Sequence, residues 1–274
     1  KLMQNNNGKF VNVSKSANIK STAIGYGLGI AVSDLNMDGY PDIYIANDFH
    51  ENDYLYINQK NGTFKEVLTE QLQHTSRFSM GVDIGDINND GWNDVFTLDM
   101  APYDPQILKS SLGEDEYSIF NFKLGYGYHH QYARNNLQLN NGNNTFSEIG
   151  MFADVEATDW SWATLFFDFD HDGRKDLFVS NGIPRRMNDI DYINFRMSDE
   201  DIRFKTSKNY VKEDELDMVN KMPQIKLPNK FFRNTGQLQF EDMKPAIGGN
   251  TVSFSNGAVY VDLDKDGDLD IVTN

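Results

Sequence analysis

The 274-residue chain contains no cysteine, so no disulfide staples it and no thiol serves as nucleophile or soft-metal ligand. Basic residues are outnumbered, 25 lysines and arginines against 41 acidic residues, and the formal charge is −16. That balance disfavours nucleic acid and anionic membrane as partners. The chain has no G-x-S-x-G elbow, no H-E-x-x-H pair and no phosphate-cradling glycine loop, so the common hydrolase and nucleotide chemistries lack their residues. It also has no signal peptide and no apolar run long enough to span a membrane. Lys1 falls inside a repeating hairpin, so the true N-terminus is expected outside this chain and nothing about targeting follows.

What the chain has in abundance is one nine-residue pattern, D-x-[D/N]-x-D-G-x-x-D. It occurs as DLNMDGYPD from Asp34, DINNDGWND from Asp86, DFDHDGRKD from Asp168 and DLDKDGDLD from Asp262. Calcium is a hard cation that takes about six to eight oxygens. Side chains at positions 1, 3, 5 and 9 with the carbonyl at position 7 can wrap one such ion. The expected ligands are Asp34, Asn36, Asp38 and Asp42 with the Tyr40 carbonyl, then Asp86, Asn88, Asp90 and Asp94 with Trp92. In the third copy they are Asp168, Asp170, Asp172 and Asp176 with Arg174, and in the fourth Asp262, Asp264, Asp266 and Asp270 with Asp268.

Glycine at position 6 permits the positive φ that such a loop needs. The position-12 glutamate of a helix-loop-helix calcium hand is replaced by Ile45, Thr97, Val179 or Thr273, so position 9 is expected to close each site. One such cluster alone would read as an ordinary turn; four in register are a repeat. The loops hold 15 of the 41 acidic residues, and four Ca²⁺ would bring the charge of −16 to about −8. Metal ions thus take the place of disulfides as staples.

The flanks GIAVSD, GVDIGD, ATLFFD and GAVYVD before the loops, and DIYIAN, DVFTLD, DLFVSN and DIVTN after them, are short and rich in β-branched and aromatic residues. Each loop is therefore expected to join two strands. Between the loops lie second hairpins around Asn/Gly turns: KLMQNNNGKFVNV, YLYINQKNGTFKEV, NLQLNNGNNTFSEI and KFFRNTGQLQFEDM. Alternating hairpins make four-stranded units, which predicts an all-β propeller of four-stranded blades with the cation loops in the inner hairpins.

The alternation of N-x-L-[Y/F]-x-N-x-G-x-F with D-x-D-x-D-G-x-x-D resembles the FG-GAP or VCBS repeat, the blade unit of integrin-α-like β-propellers, over nearly the whole chain apart from two insertions. More narrowly, RNNLQLNNGNNTFSEIG and TDWSWATLFFDFDHDGRKDLFVSNG, from Arg134 to Gly182, resemble large surface lipoproteins of Bacteroidota that end in an ASPIC/UnbV domain. Cartilage acidic protein of animals shares that layout. The ASPIC/UnbV segment is not visible in this chain. The resemblance implies a ring of about seven blades, of which three full units and two halves would lie here. The alternative is that the N-terminal hairpin completes the last blade and closes a four-bladed ring.

The same resemblance implies the extracellular face of an outer membrane, with a lipid anchor on the N-terminal segment. It also implies a calcium-binding interaction module in a nutrient-uptake or adhesion complex, with an outer-membrane protein or a surface glycan as partner. Catalysis is not expected, since loop carboxylates tied to calcium cannot act as acid or base. The competing readings are a calcium-dependent polysaccharide-active enzyme of lyase type and a structural subunit of an envelope complex.

Residues 1–274 form a single domain with two insertions. The first, about 101–134, is an aromatic loop carrying Tyr117, Phe120, Phe122, Tyr126, Tyr128 and Tyr132. These rings either anchor the loop or stack on sugars, and Tyr126 and Tyr128 are the candidate ligand contacts. Tyr128, His129 and His130 are the one local cluster that could supply a base. The second insertion, about 183–228, carries Arg185, Arg186, Arg196 and Arg203 and reads as helical, with a start at Ser198 and helical spacing of Leu216, Val219 and Met222. Trp160 and Trp162 share one face of a strand and either pack between blades or contact a ligand.

Overall fold

The computed structural model describes residues 1–198, 217–244 and 251–274. β1 (Met3–Asn6) and β2 (Lys9–Asn12) form a hairpin. Its turn residues Asn7 and Gly8 both have positive φ, 52° and 85°, which suits a tight hairpin. β3 (Tyr26–Ser33), β4 (Asp42–Asp48), β5 (Tyr54–Asn58) and β6 (Phe64–Glu66) then make a four-stranded antiparallel sheet in sequence order. After α1 (Leu68–Gln71) and β7 (Thr75–Ser76), β8 (Val82–Gly85) and β9 (Asp94–Thr97) open the second sheet. The first insertion follows with α2 (Pro105–Lys109), α3 (Tyr117–Gly125) and β10 (Gln131–Tyr132), and β11 (Asn136–Asn140) and β12 (Phe146–Glu148) complete the sheet.

The third sheet begins with β13 (Ser161–Phe167) and β14 (Asp176–Asn181). The second insertion contributes α4 (Ile190–Ser198), α5 (Asp217–Asn220) and β15 (Leu227–Pro228), before β16 (Lys230–Gly236) and β17 (Gln239–Asp242) finish the sheet. β18 (Val252–Ser253) pairs with β15, and β19 (Ala258–Val261) with β20 (Asp270–Thr273) forms one more hairpin. Among the described residues, three four-stranded sheets are thus flanked by a lone hairpin at either end of the chain. Among the described residues the β1–β2 and β19–β20 hairpins each pair only internally.

Successive sheets stack through their first strands, β3 on β8, β8 on β13 and β13 on β19, a β-propeller-type arrangement. The apolar cores lie between the sheets. Leu35, Tyr44, Leu55, Leu68 and Val95 fill the first gap; Phe96, Leu137, Trp160, Phe166 and Leu177 belong to the second. Each such side chain stabilises the stack by about 1.5–3 kcal/mol. Close stacking needs glycine at one position. Gly29 and Gly81 occupy the same place in GIAVSD and GVDIGD, and a Cβ there would collide with the carbonyl oxygens of Met80 and Trp162 in the next sheet.

The insertions differ from expectation in form. The first is not a plain loop but contains two helices. Asp104 caps α2, its carboxylate accepting from Gln106 N at 2.7 Å, with Pro105 in the first turn. In the second insertion a helix ends at Ser198 instead of starting there, and among the described residues of the expected span 212–222 lies the short α5. The residues named for the helix start, 199–201, and Arg203 and Leu216 lie outside the described residues.

Candidate cation loops and the opposite rim

All four nine-residue loops connect the first two strands of a sheet, at one end of the molecule. Their backbone repeats closely. Position 4 is left-handed in each, at Met37, Asn89, His171 and Lys265 (φ 57°, 59°, 58° and 64°), and the position-6 glycines follow at 85°, 89°, 85° and 98°. The position-1 carboxylate organises the turn. Asp34, Asp86 and Asp168 each accept the N–H of position 5, at 3.1, 3.2 and 3.1 Å, and of the glycine, at 2.7, 2.8 and 2.9 Å.

Position 9 has a role that spacing alone did not disclose. Asp42, Asp94 and Asp176 are fully buried. One oxygen accepts the N–H of position 2 (Leu35, Ile87, Phe169) at 3.0, 3.0 and 3.1 Å. The other accepts the N–H of Asn58, Asn140 or Asn234 on the third strand at 2.8, 2.8 and 2.7 Å. Position 9 therefore ties loop to sheet as well as facing the other acids. The asparagine it meets also reaches back one sheet: Asn140 Nδ2 donates to Leu35 O at 2.9 Å and Asn234 Nδ2 to Ile87 O at 2.7 Å. The recurrence of asparagine ahead of the outer turn was the available sequence signal.

The carboxylates converge. Carboxylate oxygens of Asp168, Asp170 and Asp176 lie within 4.8 Å of one another, as do those of Asp262, Asp264 and Asp266. In the first two loops position 3 is an amide, and Asn36 and Asn88 donate to Asp38 and Asp90 at 3.1 and 2.9 Å. Cations sit on position 5 twice, Lys60 at 3.4 Å from Asp38 and Arg174 on Asp172. Burial, then the loop's own acids Asp90 and Asp86, push the Asp94 carboxyl up to about 7. Burial with Asp170 and Asp172 pushes Asp176 up to about 6, and burial also raises Asp42. A hard divalent cation fits this all-oxygen donor set and relieves both costs.

At the opposite end a second set of polar links repeats. Asp53, Asn135 and Asn229 accept the N–H of Asn47, Asp99 and Asn181 at 2.8, 2.8 and 2.9 Å. The same side chains bond to the next sheet through Ser79, Thr158 and Ser255, at 2.8, 2.7 and 3.2 Å. Burial pushes the Asp53 carboxyl up to about 7 and that of Asp99 up to about 6.

Both insertions rise from this end and meet. Leu112 N donates to Asn188 O at 2.8 Å, and Ile190 N to Ser110 O at 2.8 Å. Arg77 and Lys123 both pair with Asp115, at 2.6 and 3.2 Å, and Arg186 pairs with Asp159 in full burial.

The four ligand contacts expected from sequence are not brought together. Tyr126 is 73% exposed on the first insertion, its ring 4.5 Å from that of Phe122. Tyr128 lies beneath Lys123 Nζ at 6.0 Å. Trp160 instead fills the gap between second and third sheets, and Trp162 packs against that core with Nε1 donating to Gly182 O at 2.8 Å. Large ring area favours burial where a neighbouring sheet is available. His129 Nε2 lies 3.0 Å from Leu72 O, and the His130 ring packs near Phe120, so these histidines anchor the insertion.

Residues 34–97 and 126–179 of this chain match the FG-GAP-like repeat. Integrin alpha-6 of Homo sapiens is 38% identical over 93 residues, covering 30% of this chain and 8% of that protein. Integrin alpha-3 of Mus musculus is 31% identical over 90 residues, 28% of this chain and 8% of the relative. Integrin alpha-PS3 of Drosophila melanogaster is 31% identical over 80 residues, 26% and 7%. The chain thus spans less than a tenth of the length of these relatives. No helix among the described residues is long and apolar enough to cross a membrane.

Proposed function

We propose that this chain is a calcium-organised interaction module. The observation that carries the reading is the repeated loop, in which acidic and amide oxygens are gathered by one backbone geometry and two clusters already hold three carboxylates each within 4.8 Å. Each of the four loops would take one Ca²⁺ through positions 1, 3, 5 and 9 and the position-7 carbonyl. With that end committed to cations, the partner surface is the opposite rim, where the two insertions join. Likeness to integrin alpha chains supports interaction over catalysis. The narrower resemblance to ASPIC/UnbV-type surface lipoproteins supports an outer-membrane setting, in uptake or adhesion.

Calorimetric titration with Ca²⁺ tests the metal half: wild type should bind up to four ions, and Asp168→Ala should bind one fewer. A titration without saturable heat would remove the reading. Co-purification of the full-length protein from its envelope in calcium, with a chelator control, tests the partner half. A stoichiometric partner lost in chelator is the expected result.

A further inference from the structure

Near the insertion rim, between the second and third sheets, lies an open cavity of about 410 Å³. Its apolar wall includes Pro102, Leu108 and Phe232, and its polar groups are Tyr103, Lys230, Lys244, Asp242, Asp154 and Glu156. Lys230 stands out, because only 3% of it is exposed and lysine is almost never buried without cause. The blade does not require it. Lys230 is the first residue of its strand, opposite Val179, and the residues in the same register of the other sheets are Tyr54 opposite Ile45 and Asn136 opposite Thr97.

A second amine stands beside it. Lys230 Nζ is 2.7 Å and Lys244 Nζ 3.7 Å from the same oxygen, Asp242 Oδ2. Both ammonium groups also lie over the Tyr103 ring, at 3.8 and 5.3 Å. Two cations thus share one carboxylate, while Asp242 Oδ1 is buried without a donor. Burial holds the Lys230 amine below the usual lysine value, a cost that a bound anion would offset. Asp154 and Glu156 also line the cavity, form no ion pair among the described residues and offer acceptors only.

The paired lysines therefore suit an anion, the carboxylates suit hydroxyl donors, and the apolar side chains suit a C–H ring face. The volume is that of a small-ligand site. We propose that this cavity binds a sugar acid, with its carboxylate on Lys230 and Lys244 and its hydroxyls donating to Asp154 and Glu156. The proposal rests on the reading of the chain as a binding module and names a ligand class for it.

Calorimetric titration of the full-length protein in calcium with galacturonate and glucuronate, beside galactose, glucose and inorganic phosphate, tests this directly. Saturable binding of a uronate is expected, with the neutral sugars and phosphate at least about tenfold weaker, the size of one lost charge-assisted contact. Lys244→Gln should weaken the uronate about tenfold, and Lys230→Asn, which installs the residue of the second sheet, should abolish binding while the protein keeps its calcium-dependent melt. The proposal is overturned by no uronate binding to protein that still melts in a calcium-dependent way. Equal affinity for galactose or for phosphate overturns it as well, as does a Lys244→Gln variant that binds like wild type. Loss of the calcium-dependent melt in wild type would instead count against the module reading itself.

Discussion

At the scale of single residues, the loop carboxylates divide into those that also anchor the sheet and those that do not. Asp94 holds the N–H groups of Ile87 and Asn140, so Asp94→Ala should destabilise by about 1–3 kcal/mol per orphaned donor even in chelator. Asp170, which gathers with Asp168 and Asp176, should behave oppositely: Asp170→Ala should leave the chelated melt within about 0.5 kcal/mol and reduce only the gain from calcium. Denaturant melts of both variants, with and without calcium, check the pair. Asp53 gives a pH prediction. Its folded pKa, raised to about 7 by burial, lies above the ordinary value of 3.8. Its contribution is therefore full below that ordinary value and lost as pH climbs through 7. Asp53→Asn, matching Asn135 and Asn229 in the other sheets, should raise stability at pH 8 by about 1 kcal/mol or more and flatten the fall between pH 4 and 8. A melt series across that range reads it out.

At the scale of elements, packing between sheets depends on backbone contact at glycine. Gly81→Ala should cost about 1–3 kcal/mol, because the added methyl meets the Trp162 carbonyl and the sheets must move apart. Gly125→Ala is the control. Nothing lies within 4 Å of a Cβ at that end of α3, so thermal unfolding should show no loss and a small gain. These elements also show what sequence can carry. The strand–loop–strand order was readable because alternating β-branched residues and a D-x-D-x-D-G run are local signals, and every loop falls between strands as expected. The position-9 anchor and the Asn140 and Asn234 links were not readable, since they join groups that only sheet stacking brings together. Trp160 and Trp162 mark the same limit: alternation puts them on one face, but the neighbouring sheet decides that this face is covered. In the first insertion, the aromatic residues gave no apolar stripe from which to infer α3, whereas the Asp104–Pro105 start of α2 was a local signal that the aromatic reading overlooked.

At the scale of the whole molecule, the first sheet lacks what the second and third have. Tyr26, Leu28, Ile30 and Val32 on β3 are each more than half exposed, whereas their counterparts Val82 and Ile84 pack against the preceding sheet. An exposed β-branched face of this kind associates in water. The 274-residue chain on its own should show concentration-dependent association in sedimentation, and Ile30→Lys should suppress it without lowering the melting temperature. At the loop end, acidic groups crowd a protein already at −16, and cations there should tighten every blade they bind. The most direct measurement is the thermal melt in chelator, in excess calcium and in magnesium. Calcium should raise the melting temperature markedly, by up to about 2.7 kcal/mol per site at a hundredfold excess over Kd, with add-back after chelation restoring it and magnesium substituting poorly. A melt unchanged between chelator and calcium would contradict the account, leaving the four loops as turns.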